Sequence, residues 1–393
     1  MKHRHIGLLS AAHLCTDLNQ GALPAILPFL IAEYHLNYAA AAGLVFAISF
    51  VSSLMQPLFG HFADKISKPW FMPAGIFMAG FGIAVTGLLS TYWTLFAAVT
   101  ISGIGIAAFH PEAARTANRV SGTKQGTGIS IFAVGGNVGF ALGPILTTAS
   151  LLFWGIKGTL VLILPATVMA ILLASQAADL HAGQSPGRKP GEVSPQPSPK
   201  DDEWAPFGRL TIVIFCRSII FYGLNTFLPL YWINILHQSK AAGGTALTIL
   251  FTAAAAGTLF GGRLADHFGY NKIIRIAFVA LLPLLLLFTS IHNVVGATLL
   301  LIPIGLALSA SYSPMVVLGQ RYLPSRVGFA SGVTFGLAIS VGGIAAPMLG
   351  WFADRHGLPA AMDLVAYLPL LAGAATFTLP VPGARLTRPR EGA

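Results

Sequence analysis

Residues 60–68 read GHFADKISK, and residues 262–272 read GRLADHFGYNK. The two stretches share the pattern G-x-x-A-D at an offset of 202 residues, and each follows a long apolar run. Outward from them, other residues pair at this offset to within one position: Cys15 with Cys216, Pro111 with Pro314, Arg119 with Arg321, Gly126 with Gly328, and Pro144 with Pro347. Matches that keep one offset along the whole chain indicate an internal duplication.

Apolar runs account for most of the chain. Hydrophobic residues make up 55% of it and charged residues only 9%, whereas a soluble domain carries about 25% charged residues. A bilayer crossing needs about 20 apolar residues. Runs of that kind lie near 6–32, 38–63, 69–89, 93–118, 124–150, 155–178, 207–236, 243–265, 272–291, 294–319, 324–350 and 358–380. The sequence therefore predicts an all-α membrane protein with twelve transmembrane helices in two pseudo-symmetric six-helix bundles.

The predicted domain boundaries follow the apolar runs. Residues 1–178 form the first bundle and residues 207–393 form the second bundle with a short tail. The intervening residues 179–206 contain six prolines and charges of both signs, which predicts a flexible linker. The basic N-terminus leads into an apolar run that carries Asp17, so we expect a first membrane helix rather than a cleaved signal peptide.

The basic residues predict the orientation in the membrane. With the N-terminus in the cytosol, three of the 23 Lys and Arg residues lie outside, namely Lys157, Lys240 and Arg355. Arg217 lies inside the membrane, which leaves 19 on the cytosolic side. Because cytosolic loops carry the excess of basic residues, we expect a multi-pass protein of the cell inner membrane with both termini cytosolic. The net charge of +10 is therefore attributed to topology and not to nucleic-acid binding.

The loop motif and helix 5 resemble those of a known superfamily. Residues 60–68 are close to the G-x-x-x-D-R/K-x-G-R/K loop signature of the major facilitator superfamily. Residues 135–144 contain glycines at every fourth position followed by proline, which is similar to the motif of its proton-coupled exporters. The resemblance implies the major facilitator fold, alternating access, and gating roles for Asp64, Lys65, Gly139, Gly143, Pro144 and Asp266.

Three further segments resemble one family within that superfamily. FHPEAAR at 109–115, VGGN at 134–137 and SGVTFG at 331–336 look like the fosmidomycin resistance family of efflux proteins. The resemblance implies export of a drug or metabolite driven by proton entry, with no cofactor. The chain departs from many proton-coupled exporters because SGIG at 102–105 lacks their helix 4 arginine.

A polar stripe runs along predicted helix 1. His13, Asp17 and Gln20 fall at i, i+4 and i+7, and Pro24 continues the same face. A charge at the bilayer centre costs about 3 kcal/mol, so an acid there needs a reason. The functional interpretation is that Asp17 binds a proton while His13 and Gln20 contact the solute. The alternative is a structural carboxylate locked to a neighbouring helix.

Arg217 occupies the place in helix 7 that corresponds to Asp17 in helix 1. A guanidinium there can hold an anionic group with a forked set of donors. We expect Arg217, Tyr222 and Asn225 to contact the solute, and Asn137 of helix 5 to reach the same cavity. The alternative for Arg217 is a fixed salt bridge to Asp17.

Predicted helix 4 carries a second group of ionisable residues. Glu112, Arg115 and Arg119 fall at i, i+3 and i+7, an acid beside two bases. His110 and Glu112 could pass protons to the cytosol, and the alternative is a gate of salt bridges. We favour the gate for Arg115 and Arg119. Asp64 and Asp266 end helices 2 and 8, where an acid can face the N-terminus of a helix in the other half.

Several function classes are excluded or disfavoured. The sequence has no G-x-x-x-x-G-K-[ST] phosphate loop, which argues against transport driven directly by ATP. The two cysteines have no metal-ligand spacing, so no metal is expected. The remaining hypotheses are a proton-coupled exporter of a small organic solute, a proton-coupled carboxylate or phosphonate transporter of either direction, and, remotely, an intramembrane enzyme. A monomer in the lipid bilayer is expected.

Overall fold

The computed structural model describes residues 3–65, 70–122, 125–181 and 202–382, and within these ranges it contains helices and no strand. The α-helices are α1 His3–Tyr34, α2 Tyr38–Lys65, α3 Phe71–Ala84, α4 Tyr92–Val120, α5 Gln125–Trp154, α6 Ile163–Ser175, α7 Ala177–His181, α8 Trp204–Asn234, α9 Lys240–Phe268, α10 Tyr270–Ser290, α11 Val294–Ala310, α12 Tyr312–Tyr322, α13 Val327–Ser331, α14 Ala338–His356 and α15 Leu358–Phe377.

The number of membrane crossings agrees with the sequence prediction. Eleven described segments are long and apolar enough to cross a membrane. One of them, residues 128–175, is 48 residues long and contains both α5 and α6, which is enough for two crossings. The chain reverses between them at Gly155, whose φ of +60° favours glycine over any residue with a side chain. The all-α, twelve-helix fold is therefore confirmed.

Two of the crossings are interrupted helices. The tenth crossing consists of α11 and α12, with a break at Ser311. The eleventh consists of α13, a π-helical turn over Gly332–Leu337, and α14. Such π-turns frequently occur at functional sites in proteins. Here the turn lies against α2, because Ser53 Oγ donates a 2.6 Å hydrogen bond to the carbonyl of Gly336 in the other half.

Glycines seat α5 directly on α1. A Cβ built at Gly143 would lie 2.6 Å from the Leu18 carbonyl oxygen, and one at Gly139 would meet the Leu14 carbonyl. Only hydrogen atoms fit at these crossings, as expected for small residues in packed membrane helices. The close approach holds the polar face of α1 at a fixed height against α5.

Many helix boundaries differ by a few residues from the predicted ones, those of α8 and α14 among them. Helix α8 begins at Trp204, three residues before the predicted boundary of the second bundle. Helix α14 extends to His356, six residues beyond the predicted end of that crossing at 350. The central part of the predicted linker, 182–201, lies outside the described residues.

Candidate transport site

The carboxylate of Asp17 lies between two imidazole rings. His13 Nε2 is 3.1 Å from Asp17 Oδ2, and His110 Nε2 is 3.1 Å from Asp17 Oδ1. Asp17 is 6% exposed, so its charge is shielded from solvent. His13 precedes it by one turn of α1, whereas His110 reaches it from α4. Fold and sequence together therefore assemble a His–Asp–His group, which we call the triad, within the first half.

Both imidazole rings are held from behind. His13 Nδ1 lies 2.9 Å from the carbonyl oxygen of Phe132, and the Phe132 ring stacks on His13 at 4.1 Å between centroids. His110 Nδ1 lies 2.9 Å from the carbonyl oxygen of Ile106. On the α5 side Gly136 leaves the space open, because a Cβ there would lie 2.6 Å from Asp17 Oδ2. Backbone atoms of two helices thus aim both Nε2 atoms at one carboxylate.

The triad is also the group of described residues with donor atoms suited to a divalent ion. One atom from each of its residues lies within 4.8 Å of the others. In each ring, however, Nε2 contacts an Asp17 carboxylate oxygen directly at 3.1 Å, so the three side chains pair with one another.

A small polar cavity lies one turn further along α1. Its lining comes from both halves: Gln20, Leu23, Pro24, Val45, Ile48, Ser49, Ser52, Gln56, Phe140, Phe221, Tyr222, Asn225 and Ile339. The cavity volume is about 50 Å³, well below the roughly 300 Å³ of the smallest sites for drug-sized ligands. In this conformation the cavity is therefore too small to hold a drug-sized solute.

Three of the predicted solute contacts lie in that lining. Gln20 comes from α1, while Tyr222 and Asn225 come from α8. The Oδ1 atom of Asn225 is buried and has no hydrogen-bond partner within the described part of the chain, so an acceptor stands ready for a ligand donor. Asn137 and His13 do not belong to this lining, and His13 belongs to the triad instead.

Arg217 lies one turn from the cavity on α8. Its Nε donates a 3.0 Å hydrogen bond to the carbonyl of Leu308, and its guanidinium stacks on the ring of Tyr312 at 4.5 Å. Phe221, which lines the cavity, is 6.0 Å from the same guanidinium. Among the described residues no carboxylate pairs with Arg217, so its charge is balanced by a carbonyl and a π face only.

The predicted alternative of a fixed salt bridge between Arg217 and Asp17 is wrong. Asp17 makes its ionic contacts within the first half, with the histidines of the triad. Arg217 turns instead toward Leu308 and Tyr312 of its own half. Each of the two residues therefore makes its polar contacts within its own half.

The ionisable group at the end of α4 is separate from the triad. Glu112 is 1% exposed, and its Oε2 lies 3.8 Å from Arg115 Nη1. Arg119 donates through Nη2 to Thr116 Oγ1 at 3.2 Å and to the carbonyl of Leu180 at 2.8 Å. These contacts stay within the first half and tie α4 to α7. His110 and Glu112, two residues apart, point to different partners.

The predicted inner gate is only partly described. Asp64 and Lys65 lie in the last turn of α2, outside the residues whose side chains the structure describes. Asp266 is exposed and accepts a hydrogen bond from the Tyr270 hydroxyl of its own half. Its expected position at a helix N-terminus of the other half stays a prediction, because the inner helix ends of that half are only partly among the described residues.

An acid does cap a helix of the other half, at the opposite end of the molecule. The carboxylate of Asp354, in the last turn of α14, accepts hydrogen bonds from the backbone N–H of Tyr38 at 2.8 Å and of Ala39 at 3.0 Å. Those residues begin α2. Nearby, Asn234 donates to the Tyr38 hydroxyl at 2.8 Å, and Lys240 lies 4.3 Å from the Phe29 ring. We call this set of contacts the Asp354 latch.

Sequence analysis missed the latch although a signal was present. Residues 350–357 read GWFADRHG, a third copy of the G-x-x-x-D pattern that occurs at 60–64 and 262–266. This third copy does not repeat at the offset of 202 residues that relates the other two, so the internal duplication does not predict it. The glycine of this copy permits a close helix contact, since a Cβ at Gly350 would lie 2.6 Å from the Tyr38 carbonyl oxygen.

Two six-helix halves that meet at a small polar cavity, with ionisable groups buried at membrane depth, define a membrane transporter and not an enzyme. The chain belongs to the Major Facilitator Superfamily, whose family model matches residues 9–347.

Individual relatives narrow the comparison. The chain is 31% identical over 379 residues to the Fosmidomycin resistance protein of Escherichia coli K12, which covers 95% of this chain and 92% of the relative. It is also 31% identical over 384 residues to an uncharacterized transporter of the superfamily, YfnC, from Bacillus subtilis 168, with 95% and 92% covered. These matches agree with the resemblance seen in the segments at 109–115, 134–137 and 331–336.

The solved structures support the fold. A bacterial homologue of the human lysosomal transporter Spinster, in an inward-facing and occupied conformation, superposes with a TM-score of 0.79 over 95% of this chain and 96% of that one. Its sequence identity is 15%, so the likeness concerns the fold alone.

Proposed function

We propose that this protein is a secondary active transporter that exports a small organic solute across the cell inner membrane in exchange for protons. The observation that carries the proposal is Asp17, a carboxylate buried in the first membrane helix and flanked by two histidines. An ionisable group in that position costs free energy unless it has a function, and proton relays of acids and histidines are such a function.

The position of Asp17 on α1 supports a link between proton and solute. Asp17 and Gln20 are one turn apart on the same helix, and Gln20 lines the cavity together with Pro24. Glycines of α5 let it pack closely against this helix. We therefore expect a change of protonation at the triad to shift α1 as a unit and to move the cavity wall with it. Each ligand then changes the affinity for the other by the same factor.

Arg217 favours an anionic solute. A guanidinium at membrane depth that lacks a carboxylate partner among the described residues can take its counter-charge from a ligand. A phosphonate or carboxylate group fits the forked donors, while Tyr222, Asn225 and Gln20 supply polar contacts to the rest of the solute. The name of the Escherichia coli relative makes fosmidomycin, a phosphonate, the first compound to test. The second candidate function, a proton-coupled transporter of carboxylates or phosphonates in either direction, rests on the same observation.

The expected topology assigns the two ends of the molecule to the two sides of the membrane. With both termini in the cytosol, the loop between α1 and α2 lies outside, and so does the Asp354 latch. The latch closes the outer end, which supports an inward-facing or occluded state. In an exporter this is the state that loads solute from the cytosol and releases protons to it.

The test is reconstitution into liposomes that contain a pH-sensitive dye. Addition of fosmidomycin, a panel of phosphonates and carboxylates, and neutral amphipathic drugs should produce proton movement opposite to the solute for at least one compound. The same vesicles without protein, and vesicles with the Asp17→Asn variant, serve as controls. Solute flux in the wild type without any dye response would refute proton exchange.

A further inference from the structure

We infer that His13 is a proton-carrying residue equal in role to His110, and that the triad exchanges two protons in each transport cycle. The inference rests on the proposed proton coupling and adds its stoichiometry. Its basis is the arrangement of the two rings around one carboxylate, at 3.1 Å on each side.

The backbone determines the tautomer of both rings. The Nδ1 atoms of His13 and His110 each lie 2.9 Å from a backbone carbonyl oxygen, that of Phe132 and that of Ile106. A carbonyl oxygen can only accept a hydrogen bond, so Nδ1 carries a hydrogen on both rings. In a neutral imidazole the other nitrogen, Nε2, then presents a lone pair.

Each contact with Asp17 therefore requires a proton of its own. A lone pair on Nε2 and an ionised carboxylate oxygen are both acceptors, and at 3.1 Å they repel unless the ring carries a second proton. Two such contacts hold two protons. The triad carries a net charge of +1 with both protons, zero with one, and −1 with none, so the charge in the membrane changes by one with each step.

The helices hold the two histidine rings in different ways. His13 and Asp17 belong to the same helix, and the His13 ring stacks on Phe132. The contact between His13 and Asp17 therefore persists when helices move. His110 belongs to another helix, and its side chain is 22% exposed against 12% for His13. The His13 contact therefore lies within one helix, and the His110 contact joins two helices.

Other titratable groups do not compete for these protons. Helix α5 faces the triad with Phe132 and Gly136, neither of which titrates. On α4, the neighbouring Glu112 lies beside Arg115 and not beside Asp17. Within the described residues, no further Lys, Arg, Asp or Glu side chain forms an ion pair with any member of the triad.

The test measures the solute gradient that balances an imposed pH gradient in proteoliposomes, with the membrane potential clamped to zero by potassium and valinomycin. The probe is the compound that the flux panel identifies, beginning with fosmidomycin. One pH unit and a tenfold concentration ratio represent the same free energy. One exchanged proton therefore supports a gradient of about tenfold per pH unit, and two protons about 100-fold.

The wild type should reach about 100-fold, and His13→Gln and His110→Gln should each fall to about tenfold while solute counterflow persists. His292→Gln, at an exposed loop position, is the matched control and should stay at the wild-type value. A wild-type gradient near tenfold, or an unchanged gradient in His13→Gln, overturns the two-proton inference but leaves proton exchange intact. The absence of any pH-driven gradient in an active wild type overturns the proposed function itself.

A second measurement needs no solute. Protein labelled with ¹⁵N-histidine should show both rings with a protonated Nδ1 in NMR spectra, assigned by loss of each signal in its Gln variant. The signal of a neutral ring that carries its hydrogen on Nε2, at His13 or His110, would overturn the tautomer argument. Preserved tautomers in a protein that exchanges only one proton would overturn the stoichiometry alone.

Discussion

Removal of the Asp354 carboxylate should open the outer end of the transporter. Asp354 accepts hydrogen bonds from the backbone N–H groups of Tyr38 and Ala39 at 2.8 and 3.0 Å, at the N-terminus of a helix in the other half. A hydrogen bond to a charged group contributes about 1.5–3 kcal/mol, and a charge at a helix terminus about 0.3–1 kcal/mol. Because Asp354 is exposed, solvent screening reduces both contributions.

A net loss of about 2 kcal/mol is a reasonable expectation for Asp354→Ala, which corresponds to roughly a 30-fold change in the ratio of closed to open outer ends. Asp354→Asn keeps one acceptor oxygen and loses the charge, so it should give a smaller change, of about 1 kcal/mol. Neither variant should unfold the protein, since the latch joins the halves and does not belong to either core.

Spin labels at Glu33 and His237, exposed positions at the outer ends of the two halves, provide the assay. Pulsed electron resonance should show a longer distance population that grows from wild type through Asp354→Asn to Asp354→Ala. The neighbouring Arg355→Ala is the matched control, because Arg355 stacks on Trp351 of its own half at 4.1 Å. Identical distance distributions in wild type and Asp354→Ala would refute the latch.

Three further predictions concern coupling, selectivity and topology. In proteoliposomes, Asp17→Asn and Glu112→Gln should retain solute counterflow and lose uphill transport driven by a pH gradient. Full gradient-driven transport in both variants would show that these acids are not on the proton path. Arg217→Ala should weaken binding of anionic solutes by roughly tenfold to 150-fold and leave neutral ones unaffected, because one charge-assisted hydrogen bond contributes about 1.5–3 kcal/mol. Arg217→Lys should recover part of the loss. Equal losses for both solute classes in competition assays would argue against anion binding. Cysteines introduced at 185–200 should react with membrane-impermeant reagents in inverted vesicles and not in intact cells, and labelling from outside would reverse the topology.

The fold was predictable because each of its signals is local or periodic. Twelve apolar runs and a constant offset of 202 between matching residues require no knowledge of which helices touch. Helix bounds were less accurate where the backbone departs from a regular helix. The break at Ser311 and the π-turn over Gly332–Leu337 depend on packing between helices, as does the extension of α14 to His356.

The candidate site was predictable only along single helices. Helical spacing placed His13, Asp17 and Gln20 on one face of α1, and the structure keeps them there. The role of His13 shifted from solute contact to the triad because His110 arrives from α4, at a sequence distance that no spacing rule covers. The expected cavity contact of Asn137 does not occur in this conformation, since α5 turns Gly136 toward the triad.

The sequence by itself determined that this chain lies in a membrane and that it consists of two related halves. It also determined which few charged residues lie within the membrane-spanning segments. These properties follow from the composition of each segment and from the repetition of residues along the chain, neither of which depends on how the helices pack. Only the tertiary structure decided that Asp17 pairs with histidines and not with Arg217, and that Asp354 caps α2 across the two halves. Pairing of charges depends on the direction in which each side chain leaves its helix and on the helix it meets, and both are set by packing.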